Sequence, residues 1–149
     1  MTIREDKLKT IEFMQPIYTF HIDSGQHVSN IAYVMWMEIG RLKLLESAGL
    51  PVHRIIEHGF IPVLTRTEIN YKQPLILSDE VKVVLWISDL KRISATLIFN
   101  FLNQRNELVA EGVQTALFVN VDNQRPYKLP IEDRARFEPY VRKPISTRE

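Results

Sequence analysis

Asp23-Ser24-Gly25-Gln26-His27-Val28-Ser29-Asn30 places one carboxylate in a short polar turn just ahead of an apolar run, Ile31 to Met37. That run reads as the start of a helix. The first N–H groups of a helix have no internal partner and carry partial positive charge. Aimed at a carbonyl oxygen, they act as an oxyanion hole, worth roughly 3–4 kcal/mol per donor. A carboxylate beside them can attack the carbonyl or deprotonate water. The same turn also suits a plain Asx turn or a helix cap, so Asp23 has a structural reading beside the chemical one. His27 can bind a ligand or orient the turn, or simply bond to backbone. Ser24, His21 and His27 suggest a triad, but the cluster lacks a Gly-x-Ser-x-Gly elbow. Glu38, a second acid, follows Asn30 by eight residues, or ~12 Å up a helix axis. As a rival catalytic acid it is too far to share one carbonyl with the helix start of the same chain, though a partner chain could change that, and the plainer reading is an ion pair with Arg41. Lys91-Arg92 is a pair of cations suited to a phosphate.

The elements that hold these groups follow from pattern. Residues 1–12 are polar and read as a loose arm or short helix. Residues 17–22, Ile-Tyr-Thr-Phe-His-Ile, are β-branched and aromatic and predict a strand. A helix is expected over 30–48, capped by Ser29 or Asn30 and stopped at Gly49 with Pro51 beyond. Its first half is apolar on every side and predicts complete enclosure; its second half is amphipathic and predicts emergence toward solvent. Strands are expected at 60–71, 80–88, 94–103 and 107–121, with turns at Gln73-Pro74, Gln104-Arg105-Asn106 and Asp122-Asn123-Gln124. Gly112 marks a bulge or a close approach. The prolines after 125 predict a loose tail, with residues 136–149 flexible. One long helix and long hairpin-linked strands imply an antiparallel sheet curled round the helix. The strands leave an edge that a second copy can cover.

Composition narrows the classes. The 149 residues predict a single domain, 1–149, with an arm to 14 and a core over 15–135. There are no cysteines, which removes disulfides and thiolate chemistry. The four histidines show no ligand spacing, so no metal is expected. The net charge of +1 argues against a nucleic-acid partner. No apolar run approaches the ~20 residues of a membrane span, and the charged start does not read as a signal peptide. A cytoplasmic protein is expected.

The run Asp23-x-x-x-His27-Val28-x-Asn30-x-x-Tyr33, followed by Trp36-Met37-Glu38-x-x-Arg41, resembles the signature of the hotdog-fold acyl-CoA thioesterases of the 4-hydroxybenzoyl-CoA thioesterase type. Ile69-x-Tyr71-x-x-Pro74-Leu75-x-x-x-Asp79-Glu80-Val81 and Arg125-Pro126-x-x-Leu129-Pro130 extend the likeness over residues 15–135. Gln26 stands where the family has Gly, with Gly25 one place earlier; Ser29 replaces the first Asn, and His21 the first acid of a frequent pair. The resemblance implies an α+β hotdog fold, a curled antiparallel sheet of about five strands around one long central helix. It implies a thioester hydrolase acting on an acyl-CoA or an acyl-carrier-protein thioester. Asp23 would be nucleophile or general base, the backbone amide of Asn30 the oxyanion donor, and His27 a positioning group. Tyr33, Lys91 and Arg92 would bind substrate, the two cations at the CoA phosphates, with Arg125 and Lys128 weaker candidates. Tyr33, Trp36 and Met37 would line the acyl pocket or fill the core. No cofactor is implied, and the assembly would be a homodimer or homotetramer with sites at the subunit interface. A 3-hydroxyacyl thioester dehydratase and a non-catalytic acyl-CoA-binding protein are the alternatives.

Overall fold

The computed structural model describes residues 8–143. Five antiparallel strands form a single sheet in the order β1-β3-β4-β5-β2: β1 (Ile11–Gln15), β2 (Phe60–Tyr71), β3 (Val81–Leu90), β4 (Ser94–Leu102) and β5 (Leu108–Asn120). The sheet curls against one long helix, α1 (Asn30–Ser47), and this is the expected hotdog architecture. The four later strands follow the alternation of their sequences. In β3, Val81, Val83, Leu85 and Ile87 are buried and their neighbours are partly exposed. Consecutive β3, β4 and β5 pair as hairpins, with Asn106 in the left-handed region (φ 64°) closing the second turn.

The start of the chain differs from the expected pattern. Residues 11–15 form an edge strand paired with β3 (Ile11↔Leu85), with Ile11, Phe13 and Gln15 turned inward. Residues 17–22, expected as a strand, instead wind a 3-10 turn over Thr19–His21. The cause is local. The Tyr18 amide donates to His21 Nδ1 at 2.9 Å, so a side chain offers the backbone an alternative to a ladder.

Helix α1 begins where expected. Ser29 caps it, its hydroxyl accepting from the Ala32 amide, and Gly49 follows its end at φ 83°. Ala32, Tyr33, Trp36, Met37, Gly40, Leu44 and Leu45 face the sheet and are buried. The first half is not enclosed all round, because five strands of one chain wrap only one side of a helix. Ile31, Val34, Met35 and Leu42 are exposed, Ile31 at 70%. These positions, at i, i+3, i+4 and i+11, make an apolar stripe on the outer face. Gly112 is a close approach: a Cβ there would lie 2.5 Å from Met37 Cε, so β5 and the helix meet at that point.

The tail is packed at least as far as residue 143. Helix α2 (Ile131–Phe137) and a following 3-10 turn bury Phe137 and Tyr140, and Val141 bridges Ile87 of β3. The flexible tail expected from residue 136 is therefore ordered over 136–143, because two aromatic side chains reach the core. Residues 1–7 and 144–149 lie outside the described residues.

Candidate functional site

Asp23 sits in a tight turn whose backbone closes on itself: its amide donates to the His27 carbonyl at 2.9 Å, and Gln26 donates to the Asp23 carbonyl at 3.0 Å. Asp23 Oδ1 accepts from the amides of Gly25 (2.9 Å) and His27 (3.4 Å). This is the Asx turn the spacing allowed, and it fixes the carboxylate's direction. Oδ2 makes no hydrogen bond among the described residues. Gln26 has φ 68°. The position that carries Gly in the resembling signature is thus one that demands left-handed backbone, and here a side chain tolerates it at a cost.

Two long-range bonds seat the turn. Ser29 donates to the His21 carbonyl at 2.8 Å, tying the helix cap to the 3-10 turn. Val28 donates to the Leu75 carbonyl at 2.9 Å, tying it to the loop after β2. The amides of Asn30 and Ile31, at the first turn of α1, have no protein partner among the described residues.

Asp23, His27, Asn30, Tyr33, Tyr71 and Lys72 line one open cleft of about 320 Å³. The structure thus brings together four residues singled out from sequence and adds Tyr71 and Lys72. Tyr71 stood in the second signature segment; Lys72 carried no signal, since one exposed lysine after a strand is unremarkable in sequence. Tyr33 is 2% exposed, edge-on to Tyr71 and Phe101 with centroids 5.2 and 5.1 Å away. Its phenol is pushed above the ordinary tyrosine range, first by burial and then by the nearby Tyr71 and Asp79. Tyr33 therefore stays neutral and can only donate or accept a hydrogen bond; it also serves the core. His27 is exposed and its ring bonds to no backbone group among the described residues. His21 is the structural histidine, 5% exposed, its ring edge-on to Trp36 and its pKa lowered by burial.

Glu38 does not pair with Arg41. It points to solvent, and Arg41 turns inward to donate to Gln114 Oε1 at 2.8 Å. Gln114, fully buried on β5, passes its own amide to Thr67 Oγ1 at 3.2 Å. Burial lowers the Arg41 pKa, and the charge of Glu38 partly offsets this. Spacing along α1 could not reveal the bond, because Gln114 lies 73 residues further on.

Lys91 and Arg92 lie elsewhere. They line a second cleft of about 740 Å³ with Lys128, Leu129 and Arg134. Arg134 anchors the β3–β4 turn, donating to the carbonyls of Leu90 (2.8 Å) and Lys91 (3.1 Å). Lys91 Nζ is 3.7 Å from Asp89, an exposed pair of little strength. Arg125 does not line this cleft. The two clefts occupy opposite ends of the sheet. Lys72 bonds to Val109 at the start of β5, whereas Ser94 pairs with Leu117 near its end. Eight residues of strand separate those points, roughly 27 Å.

A family model described as "Thioesterase-like superfamily" matches residues 19–142. The chain is 27% identical over 124 residues to the long-chain acyl-CoA thioesterase FadM of Escherichia coli, covering 83% of this chain and 93% of that one. Among solved structures, it superposes with TM-score 0.85 on SAV2348 of Staphylococcus aureus, solved in complex with CoA, at 17% identity over 95% of this chain and 90% of that one. A DHNA-CoA thioesterase of Staphylococcus aureus superposes with TM-score 0.78 at 21% identity, covering 88% of each chain.

Proposed function

Because the chain belongs to the Thioesterase-like superfamily, we propose that it hydrolyses an acyl-CoA or acyl-carrier-protein thioester, with Asp23 as nucleophile or general base. The observation that carries this reading is the shared cleft. An acid with one uncommitted oxygen and Asn30, whose amide is unpaired at the helix start, line the same space of about 320 Å³. The thioester carbonyl oxygen is received by the amide of Asn30, where a helix start favours developing negative charge. Asp23 Oδ2 attacks the carbonyl carbon or takes a proton from water, and the CoA thiolate departs. Water is the second substrate and no cofactor is consumed. His27 positions the turn through its amide and carbonyl. Its amide donates to Asp23 Oδ1, and its imidazole ring makes no hydrogen bond to a carboxylate among the described residues.

A second copy completes the site. Strand β2 is an open edge of the sheet, exposed from Leu64 to Glu68, and the apolar stripe of Ile31, Val34, Met35 and Leu42 is uncovered. Both are costs that a partner removes. Pairing β2 with its copy across a two-fold axis runs the two strands antiparallel. The Tyr71 end of one protomer then lies beside the Phe60 end of the other. The basic cleft of Lys91, Arg92 and Lys128, at the opposite end of the sheet from the Asp23 of its own chain, comes to lie toward the partner's Asp23, where CoA phosphates would need it.

Asp23→Asn tests the chemistry with little structural cost, since the amide oxygen can still accept from Gly25 and His27. Thiol release from an acyl-CoA panel should fall 10²–10⁴-fold in kcat with KM little changed. Retention of activity within tenfold, at unchanged stability, would falsify the role of Asp23.

A further inference from the structure

Native cores hold few voids larger than a water molecule. Between the second half of α1 and the sheet, however, lies a partly open pocket of about 120 Å³. Its walls are Arg41, Leu45, Leu64, Leu97, Ala116 and Phe118, among others. The floor is a row of small and medium side chains: Ala95 of β4 pairs with Ala116 of β5, which pairs with Leu64 of β2. Larger residues at either alanine would close the space. Arg41, the one charged wall, is drawn aside by Gln114 and so does not fill it. At the lip Leu64 is 37% exposed, on the open β2 edge. Two alanines and a tethered arginine leave this space open, with Leu64 of the edge strand at its lip.

The cavity lies at the wrong end of the chain to serve its own Asp23. Asn30 and Leu44 are 14 residues apart on α1, about 21 Å along the axis. The antiparallel pairing argued above turns it toward the partner's Asp23, at the same end as the basic cleft. We propose that this cavity is the subsite for the acyl group of a thioester held at the partner's Asp23, and that it restricts the substrate to short acyl groups of about six carbons or fewer. The limit follows from size: an apolar cavity of about 150 Å³ holds one benzene ring, and this one is slightly smaller. The proposal rests on the thioesterase reading for the identity of its occupant.

The test measures binding apart from turnover. Non-hydrolysable S-alkyl-CoA thioethers, from ethyl to hexadecyl, are titrated calorimetrically into the full chain, and acyl-CoAs of matching lengths are assayed by thiol release. Affinity should rise about fourfold per methylene up to hexyl and then stop rising. Ala116→Leu should weaken S-hexyl-CoA at least tenfold while leaving S-ethyl-CoA unchanged. Leu64→Ala, at the partly exposed lip, should carry the rise on by about two carbons; it also decides the matter if Ala116→Leu does not fold. A rise that continues to dodecyl in the wild type overturns the proposal. So does an Ala116→Leu loss equal at both lengths, or an unmoved plateau in Leu64→Ala. Thioether binding of the expected profile without turnover of any acyl-CoA overturns the hydrolysis reading and leaves the subsite standing. Turnover with length-independent binding does the reverse.

Discussion

The buried chain Arg41–Gln114–Thr67 offers a quantitative check on how the helix is locked to the sheet. Gln114 is fully buried and both ends of its amide are satisfied, by Arg41 at 2.8 Å and Thr67 at 3.2 Å. Gln114→Leu keeps nearly the same volume but leaves the Arg41 guanidinium facing apolar surface without its acceptor. A hydrogen bond to a charged group contributes roughly 1.5–3 kcal/mol, and a neutral one about 1. The single variant should therefore lose about 2–4 kcal/mol, or very roughly 5–15 °C in Tm at the usual 2–4 °C per kcal/mol for a chain of this size. Arg41→Met removes the charge and strands Gln114 Oε1 instead, at about 1–3 kcal/mol. The double variant should cost much less than the sum, because an apolar pair leaves nothing unpaired. The predicted coupling is about 2 kcal/mol. Urea unfolding at one fixed protein concentration measures it, with m-values compared to confirm that the unfolded state is unchanged. A coupling under about 0.5 kcal/mol would refute the reasoning, since contacting partners in one network couple by more than that.

Two further outcomes follow from particular residues. Burial lowers the His21 pKa below the usual 6.5, and its Nδ1 must stay unprotonated to accept from Tyr18. The unfolded chain therefore takes up this proton first as pH falls. Stability is fully present above about 6.5 and declines as pH drops from there toward the lowered folded-state value. His21→Gln should flatten that slope, and an identical slope in the variant would exclude His21 as its source. At Gln26, φ is 68°. Gln26→Gly relieves about 1 kcal/mol of left-handed strain against a rise in unfolded-state entropy of about 0.4–1 kcal/mol. The net change should lie between zero and about +0.6 kcal/mol, with kcat retained; a loss above 1 kcal/mol by urea unfolding would show that the Gln26 side chain holds the turn in another way.

Much of the frame was legible because its determinants are local. Alternation in 81–90, 94–102 and 108–120 depends on a two-residue period. The start and stop of α1 depend on a hydroxyl at Ser29 and a glycine at position 49. The Asp23 turn depends on a carboxylate reaching two amides within four residues. Even the position that carries Gly in the resembling signature could be found, at Gln26, although its backbone angle could not. Two local readings failed where a competing interaction was overlooked. At 17–22 the strand preference of Tyr, Phe and Ile lost to one histidine nitrogen accepting a backbone amide. At 11–15 a short alternating run was hidden among charges.

What remained was decided by contacts between residues far apart in the chain. No spacing along α1 shows that Arg41 leaves Glu38 for Gln114, because that choice depends on where β5 lies against the helix. Nor does composition foretell that Phe137 and Tyr140 tie down a proline-rich tail, since their burial needs a surface built by other strands. The separation of the acid from the basic cleft is likewise a property of sheet order. Periodicity sets which side of a strand faces inward; only the assembled sheet sets which ends come together, and a single chain of this topology keeps Asp23 and Arg92 at opposite ends of its own sheet.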